Sequence, residues 1–320
     1  MRSVLDVQDL KTYFFTRYGV LKALDGVSFT LERAETLGIA GESGCGKSTL
    51  ASSIIRMVRP PGRIVSGKVF LEDCEVTSLA ESQVNDMIRW KKIAMIFQGA
   101  MGSLNPVYTI GYQMIEPLIY GRHMSKSPAL EIARKQLELV GLQSDIVKKY
   151  PHELSGGMQQ RVLIAMSLVS DPALLIADEP TTALDVIVQA QVFNLLKDLQ
   201  HKLGISLILI THDLSVIAEL AQRIATMYAG KFVEVGPSDS FYSNPVHPYT
   251  EGLISSVIRL HGPTKAPKPI LGNPPDPGKP PPGCRFHPRC LKAEAICKQV
   301  EPELVEVEPD HYVACHRLAR

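Results

Sequence analysis

The chain has 320 residues, 45% of them apolar, with 34 basic and 33 acidic side chains and a net charge of +1. That length builds one large domain or two, and the balanced charge excludes nucleic-acid binding by bulk electrostatics. No apolar run approaches the ~20 residues that cross a bilayer; the longest, ISLILI at 205–210 and ALLIA at 173–177, are strand-sized.

Asp6 and Asp9 stand where a signal peptide would be apolar. The expectation is a soluble cytosolic protein, whose clustered cysteines are metal ligands rather than disulfides. Residues 1–35 alternate as two strands about a turn near Tyr18-Gly19. TLGIAGESGCGKSTLASSIIRMV then reads as a buried strand, a glycine loop and a helix.

The loop, Gly41 to Thr49, fits G-x4-G-K-[ST] in full. A triphosphate needs many donors converging on a small volume. Glycines let the backbone turn its N–H groups inward, and the following helix adds its positive end. Gly41, Ser43, Gly44, Cys45, Gly46, Lys47, Ser48 and Thr49 are the expected nucleotide-binding residues. Lys47 would reach the β and γ phosphates, and the Ser48 hydroxyl would ligate Mg²⁺.

Further along, KIAMIFQ (92–98) is strand-length, and 128–140 has helical periodicity with a proline near its start. LSGGMQQR, Leu154 to Arg161, opens a helix expected over Gly156–Val169. Ser155 is a good N-cap, and the two glycines expose backbone N–H groups, a second anion site. LLIADEP places Asp178 and Glu179 at a strand end, where doubly wound sheets collect ligands. Asp178 would approach Mg²⁺ through water, and Glu179 would polarise the water attacking the γ-phosphate.

A helix follows over VIVQAQVFNLLKDLQHKLG and stops at Gly204. SLILITHD is a strand carrying His212 at its end, LSVIAELAQ a helix, and IATMYAGKFVEVG a hairpin turning at Ala229-Gly230. On its residues alone, His212 is either structural or catalytic. Strands alternating with helices predict a parallel α/β core.

Composition changes after Gly236, and residues 263–282 hold nine prolines. This reads as an extended linker to a small cysteine-bearing tail. The tail spacing, Cys284-x5-Cys290-x6-Cys297-x17-Cys315, is wider than the usual zinc knuckle. It leaves zinc, an iron–sulfur cluster and unligated thiols open. Cys45 and Cys74 stand alone and read as packing residues.

Taken together, the phosphate loop, FQ at 97–98, LSGGMQQR, LLIADEP, ALD at 183–185 and THD at 211–213 resemble the ATP-binding-cassette (ABC) ATPase family, in family order over roughly residues 4–235. The resemblance implies an α/β fold of the ABC-type P-loop NTPase class. It has a RecA-like core, an antiparallel β subdomain and a helical subdomain at about 100–165, all within 1–235. It implies that Gln98 contacts Mg²⁺ and water, that Asp185 belongs to the D-loop at a dimer interface, and that His212 contacts the γ-phosphate. An aromatic near the start stacks on adenine; Phe14 fits that spacing best, with Tyr13 as the alternative. Leu154, Ser155, Gly156, Gly157, Met158 and Gln159 would serve the triphosphate held by the partner subunit. Met158 stands where many members have glutamine.

NPVHPYT (244–250), the proline stretch and the cysteines are similar to the C-terminal extension of oligopeptide/dipeptide importer ATPases, here 236–320, as is FQGAMGSLNPVYTIG after the Q-loop strand. Some members bind a [4Fe–4S] cluster at this motif, which implies Cys284, Cys290, Cys297 and Cys315 as its ligands, with Zn²⁺ as the alternative. The cluster would supply folding energy to a segment that buries little apolar surface. His247 is assigned no chemistry; HPYT reads as a turn with buried aromatic packing.

The implied activity is ATP hydrolysis energising import of di- or oligopeptides, or of oligosaccharides. The implied site of action is the cytoplasmic face of the cell membrane, peripherally. Expected partners are an identical or paralogous ATPase subunit, two integral membrane permease subunits and, indirectly, an extracytoplasmic solute-binding protein, with no nucleic acid. A soluble ABC ATPase of translation or DNA repair is the rival. It would carry a second cassette, a coiled-coil insertion or a basic block, and the sequence has none of these. A non-hydrolysing regulator is opposed by Lys47, Glu179 and His212.

Overall fold

A computed structural model describes residues 3–256 and 270–319. Of the expected proline-rich linker, residues 263–269 lie outside the described residues, and 270–282 form neither helix nor strand. The first elements are β1 (Leu5–Thr16), β2 (Gly19–Leu31), β3 (Thr36–Ala40), α1 (Lys47–Ile54), β4 (Gly62–Leu71), β5 (Cys74–Glu75), α2 (Glu81–Met87), β6 (Ile93–Ile96), α3 (Ile110–Glu116) and α4 (Lys126–Leu139). There follow α5 (Gly156–Leu168), β7 (Leu174–Asp178), α6 (Val186–Leu203), β8 (Ser206–Ile210), α7 (Leu214–Leu220), β9 (Arg223–Tyr228), β10 (Lys231–Pro237), α8 (Ser238–Ser243), α9 (Pro248–Ser256), β11 (Val305–Glu308) and β12 (His311–Val313).

The chain divides into two compact units, neither contiguous in sequence. One gathers the N-terminus up to Val4, Glu32–Ala34 and Ser78–Leu209; the other holds Leu5–Leu31, Glu35–Thr77 and the chain from Ile210 onward.

The second of these carries an antiparallel sheet in the order β2-β1-β4-β5. β4 lacks a sequence signal for a physical reason. Of its ten positions only Val69 and Leu71, near its end, are buried, so the period-2 apolar pattern is missing over most of its length. The same unit holds strands in the order β11-β12-β10-β9-β3. β3 runs parallel to β9, from Leu37 opposite Arg223 to Ala40 opposite Thr226. The β9–β10 hairpin turns at Ala229-Gly230 as expected, both residues having positive φ (47° and 83°), the geometry that matches strand twist. Ala40, Leu214, Ile217, Ile224, Phe241 and Ile254 form one core cluster. Tyr228, Val233, Tyr249 and Phe286 form another, which draws the tail into the interior. Each such side chain contributes roughly 1.5–3 kcal/mol by leaving water.

The other unit orders its strands β8-β7-β6. β6 pairs in parallel with β7 from Ile93 opposite Leu174 to Ile96 opposite Ala177. Every position of these three strands is buried, as expected of parallel strands covered on both faces. α6 starts at an Asp185 cap and stops at Gly204, φ 63°. α5 is capped by Ser155. No helix among the described residues is long and apolar enough to cross a membrane.

Candidate functional site

The expected site residues fall on both units. β3 is buried throughout and delivers the chain to Gly41, φ 154°. A Cβ there would collide with the Met227 carbonyl and stand 2.8 Å from the Cys45 sulfur, so the loop starts where only glycine fits. Lys47 opens α1 and is 7% exposed. Its ammonium folds back over the loop and donates to the carbonyls of Gly41 (2.7 Å) and Glu42 (3.1 Å). Ser43, Gly44 and Ser48 are exposed; Gly46 and Thr49 are half-buried. Cys45 is buried, and burial pushes its thiol pKa up against the pull of the Lys47 charge.

His212 is exposed, and lies between the buried Thr211 and the exposed Asp213. Asp213 caps α7 by accepting from the N–H groups of Ser215 (2.8 Å) and Val216 (3.4 Å). On β1, Phe14 packs on Gly62 and is half-buried. Tyr13 donates its hydroxyl to Asp25, and its pKa is pushed up to about 12 by burial and by that carboxylate. The Lys22 ammonium lies 5.6 Å from the Tyr13 ring centroid. Tyr18, at the β1–β2 turn, is 84% exposed.

On the other unit, Asp178 ends β7 at 2% exposure. Glu179 follows with φ 45°, a left-handed conformation that a non-glycine residue adopts at a cost. Gln98 Nε2 donates to Glu179 Oε2 at 2.9 Å, and the Thr182 hydroxyl donates to the Glu179 carbonyl at 3.0 Å. The structure thus brings together the two residues that motif reading assigned to water and metal, 81 residues apart.

The LSGGMQ stretch lies at the head of α5. The Ser155 hydroxyl accepts from Met158 N–H at 3.4 Å, Gln159 donates to the Pro151 and Leu154 carbonyls, and Leu154 is buried. Ser155 and Gly156 are exposed, so the first turn is open to a ligand. Gly157 has a packing reason as well: a Cβ there would stand 2.9 Å from Val188 Cγ1 on α6. Asp185, expected at the D-loop, accepts from Val188 N–H at 3.0 Å and caps α6.

All six cysteines are free thiols. Cys284, Cys290, Cys297 and Cys315 line one pocket together with His247 and Phe286. The expectation of a metal site needs correction in one respect: among the described residues no three His, Cys, Asp or Glu side chains are placed to hold a metal ion. Burial favours protonated thiols, pushing Cys284 up to about 11 and raising Cys290 and Cys315. HPYT is the entry to α9 rather than the expected turn, since Pro248, Tyr249 and Thr250 are its first residues; its packing is buried as expected: His247 is buried, its Nδ1 accepts from Tyr249 N–H at 3.1 Å, and Thr250 bonds Thr226 at 2.9 Å.

A family model described as "ABC transporter" matches residues 24–182, and one described as "Oligopeptide/dipeptide transporter, C-terminal region" matches 233–297. The chain is 46% identical over 318 residues to the oligopeptide transport ATP-binding protein AppD of Bacillus subtilis, covering 98% of this chain and 97% of that one. It is 44% identical to the dipeptide transport ATP-binding protein DppD of the same organism, covering 98% and 95%. A dimeric post-hydrolysis structure of the ATP-binding cassette MJ0796, bound to ADP and phosphate, aligns with a TM-score of 0.65 at 28% identity, over 73% of this chain and 98% of that one.

Proposed function

The chain belongs to the ATP-binding subunits of ABC transporters of the oligopeptide/dipeptide class and is an ATPase, and on that premise we propose how its residues energise the import of di- and oligopeptides. Lys47 and the loop N–H groups bind the triphosphate. Glu179 orients and deprotonates the attacking water, Gln98 holds the Glu179 carboxylate, and His212 meets the γ-phosphate. The observation that carries the choice of base is the 2.9 Å bond from Gln98 to a Glu179 held at φ 45°. Ser48 and Asp178 offer the hard oxygen donors that Mg²⁺ takes, joined by the Gln98 amide oxygen. A bound Mg²⁺ would neutralise phosphate charge. Phe14 or Tyr13 is the adenine platform.

The exposed Ser155–Gly156 turn serves the nucleotide of a second ATPase subunit, identical or paralogous, with Asp185 at that interface. Two cassettes then close on ATP and separate after hydrolysis, which turns phosphate chemistry into rigid-body motion. The pair works at the cytoplasmic face of the membrane on two permease subunits, fed by an extracytoplasmic solute-binding protein. The chain divides functionally into a cassette at 1–235 and an extension at 236–320.

The four tail thiols hold a [4Fe–4S] cluster, with zinc as the alternative. Support comes from the pocket that the four thiols share. Once bound, the cluster would cross-link the segments around Cys284–Cys297 and Cys315.

Glu179→Gln tests the catalytic reading. The variant should bind ATP, lose hydrolysis and accumulate ATP-locked dimers; wild-type turnover would show that another group is the base. Anaerobic purification tests the tail: brown protein with iron and sulfide is expected, and zinc without iron would rule the cluster out.

A further inference from the structure

We propose that the C-terminal segment is a wall of the phosphate loop, in which Arg289 and Tyr249 act as positioning residues for nucleotide by holding Glu42. The proposal rests on the assignment of residues 41–49 to the triphosphate.

Glu42 is the second residue of the loop. Its carboxylate receives the fork of Arg289, with Nη1 to Oε2 at 2.6 Å and Nη2 to Oε1 at 2.9 Å. Its backbone N–H donates to the Tyr249 hydroxyl at 2.9 Å. These partners lie 247 and 207 residues along the chain. Arg289 is itself locked: its side chain is 6% exposed, Nε donates to the Leu271 carbonyl at 2.9 Å, and Nη1 also donates to the Tyr228 hydroxyl at 3.3 Å. Tyr228, Tyr249 and Phe286 form a buried aromatic cluster with ring centroids 4.7–5.3 Å apart. A second support runs in parallel. Arg285 donates to the Ala229 carbonyl and to Asp25, and the adjacent Gly230 N–H donates to the Cys45 carbonyl at 2.8 Å. The loop is therefore braced at Glu42 and at Cys45.

Charge gives the brace its purpose. A carboxylate in a loop that binds a triphosphate repels the ligand unless a cation cancels it. Arg289 cancels it, and a bidentate fork also fixes the direction of the carboxylate. Removing Arg289 from this partly buried pair leaves the Glu42 charge uncompensated. The Glu42 carbonyl is in turn one of the two carbonyls that receive the Lys47 ammonium, so displacing Glu42 displaces the residue that meets the phosphates.

The test measures ATP and ADP affinity by calorimetry on the 320-residue protein. Arg289→Met should weaken ATP about tenfold, roughly 1.4 kcal/mol, and ADP less, because the freed carboxylate repels ATP more. Glu42→Gln with Arg289→Met should recover most of that loss, since no unpaired charge remains. Tyr249→Phe keeps the ring packing and should weaken ATP by about threefold. In turnover, KM should rise more than kcat falls. Where Arg289→Met does not fold, Arg289→Lys, which keeps charge but loses the fork, reads the same quantity and should weaken ATP. Unchanged ATP affinity in the Arg289 variant overturns the proposal. So does a double variant no better than Arg289→Met, which would leave Arg289 a strut of the tail alone. Lys47→Ala serves as control: ATP binding retained there would overturn the phosphate-loop assignment itself.

Discussion

Glu234 on β10 and His311 on β12 are hydrogen bonded at 2.8 Å, and neither side chain reaches solvent. The same carboxylate accepts the backbone N–H groups of Val246 and His247, each at 2.9 Å. One buried acid thus ties together the sheet, the turn before α9 and a strand of the tail. Glu234→Leu would leave the buried His247 N–H, the half-buried Val246 N–H and a buried imidazole unmatched, at a cost of about 3–5 kcal/mol. Urea unfolding should show a large fall in midpoint, with Glu234→Gln between it and wild type. A Glu234→Leu midpoint equal to wild type would mean that the acid tethers nothing.

Asp25 gives a pH prediction. Burial alone would raise its pKa, but the hydrogen bond from Tyr13 and the Arg285 guanidinium outweigh burial and hold it below the usual carboxylate range. A carboxyl depressed in the folded state adds stability above its ordinary pKa, about 4. That stability is lost as pH falls through the folded value. Asp25→Asn should therefore be less stable than wild type at pH 7, with the gap narrowing toward pH 3. Paired urea titrations at the two pH values read this directly, and a gap that widens in acid would contradict it.

The contact of Gly157 with Val188 predicts a size rule at the head of α5. A Cβ at 157 would stand 2.9 Å from Val188 Cγ1, so Gly157→Ala should cost about 1–3 kcal/mol through overpacking. Adding Val188→Ala makes room and should restore the melting temperature. A double variant that melts no higher than Gly157→Ala would place the strain elsewhere.

Cys45 should be chemically quiet despite its neighbour. It is 6% exposed, its thiol pKa is raised by burial, and the Lys47 ammonium stands 3.7 Å from its sulfur. Since the thiolate is the nucleophile, maleimide at neutral pH should label the half-buried Cys74 before Cys45. Peptide mass spectrometry would follow both, and rapid labelling of Cys45 would contradict the burial argument.

What could be read from the sequence was local. The phosphate loop, the strand ending at Asp178 and the Ser155 cap announce themselves because the residues that make each one are neighbours in the chain. Gly204 as the stop of α6 and Ala229-Gly230 as a turn were legible for the same reason. The contacts around Glu42 were not, because Tyr249 and Arg289 reach it from far along the chain and belong to no phosphate-binding motif. β12 was also hidden. Its three residues, His311 to Val313, follow the acidic run VEVEPD, which reads as a solvated surface until β10 is seen to supply its partner. α8 was masked by SDSFYS, where Phe241 alone carries the buried face.

The pairing of β12 with β10, Glu234 opposite Val313 and Val235 opposite Tyr312, bears on any shortened fragment. β10 is buried at every position but its two ends. A fragment stopping near Gly236 would bare a flat, greasy strand flank of the kind that recruits other chains into aggregates. In the longer chain the outermost strand is β11, where Glu306 and Glu308 face solvent. The last stretch of polypeptide therefore works as an acidic fringe that keeps neighbouring molecules from adding on.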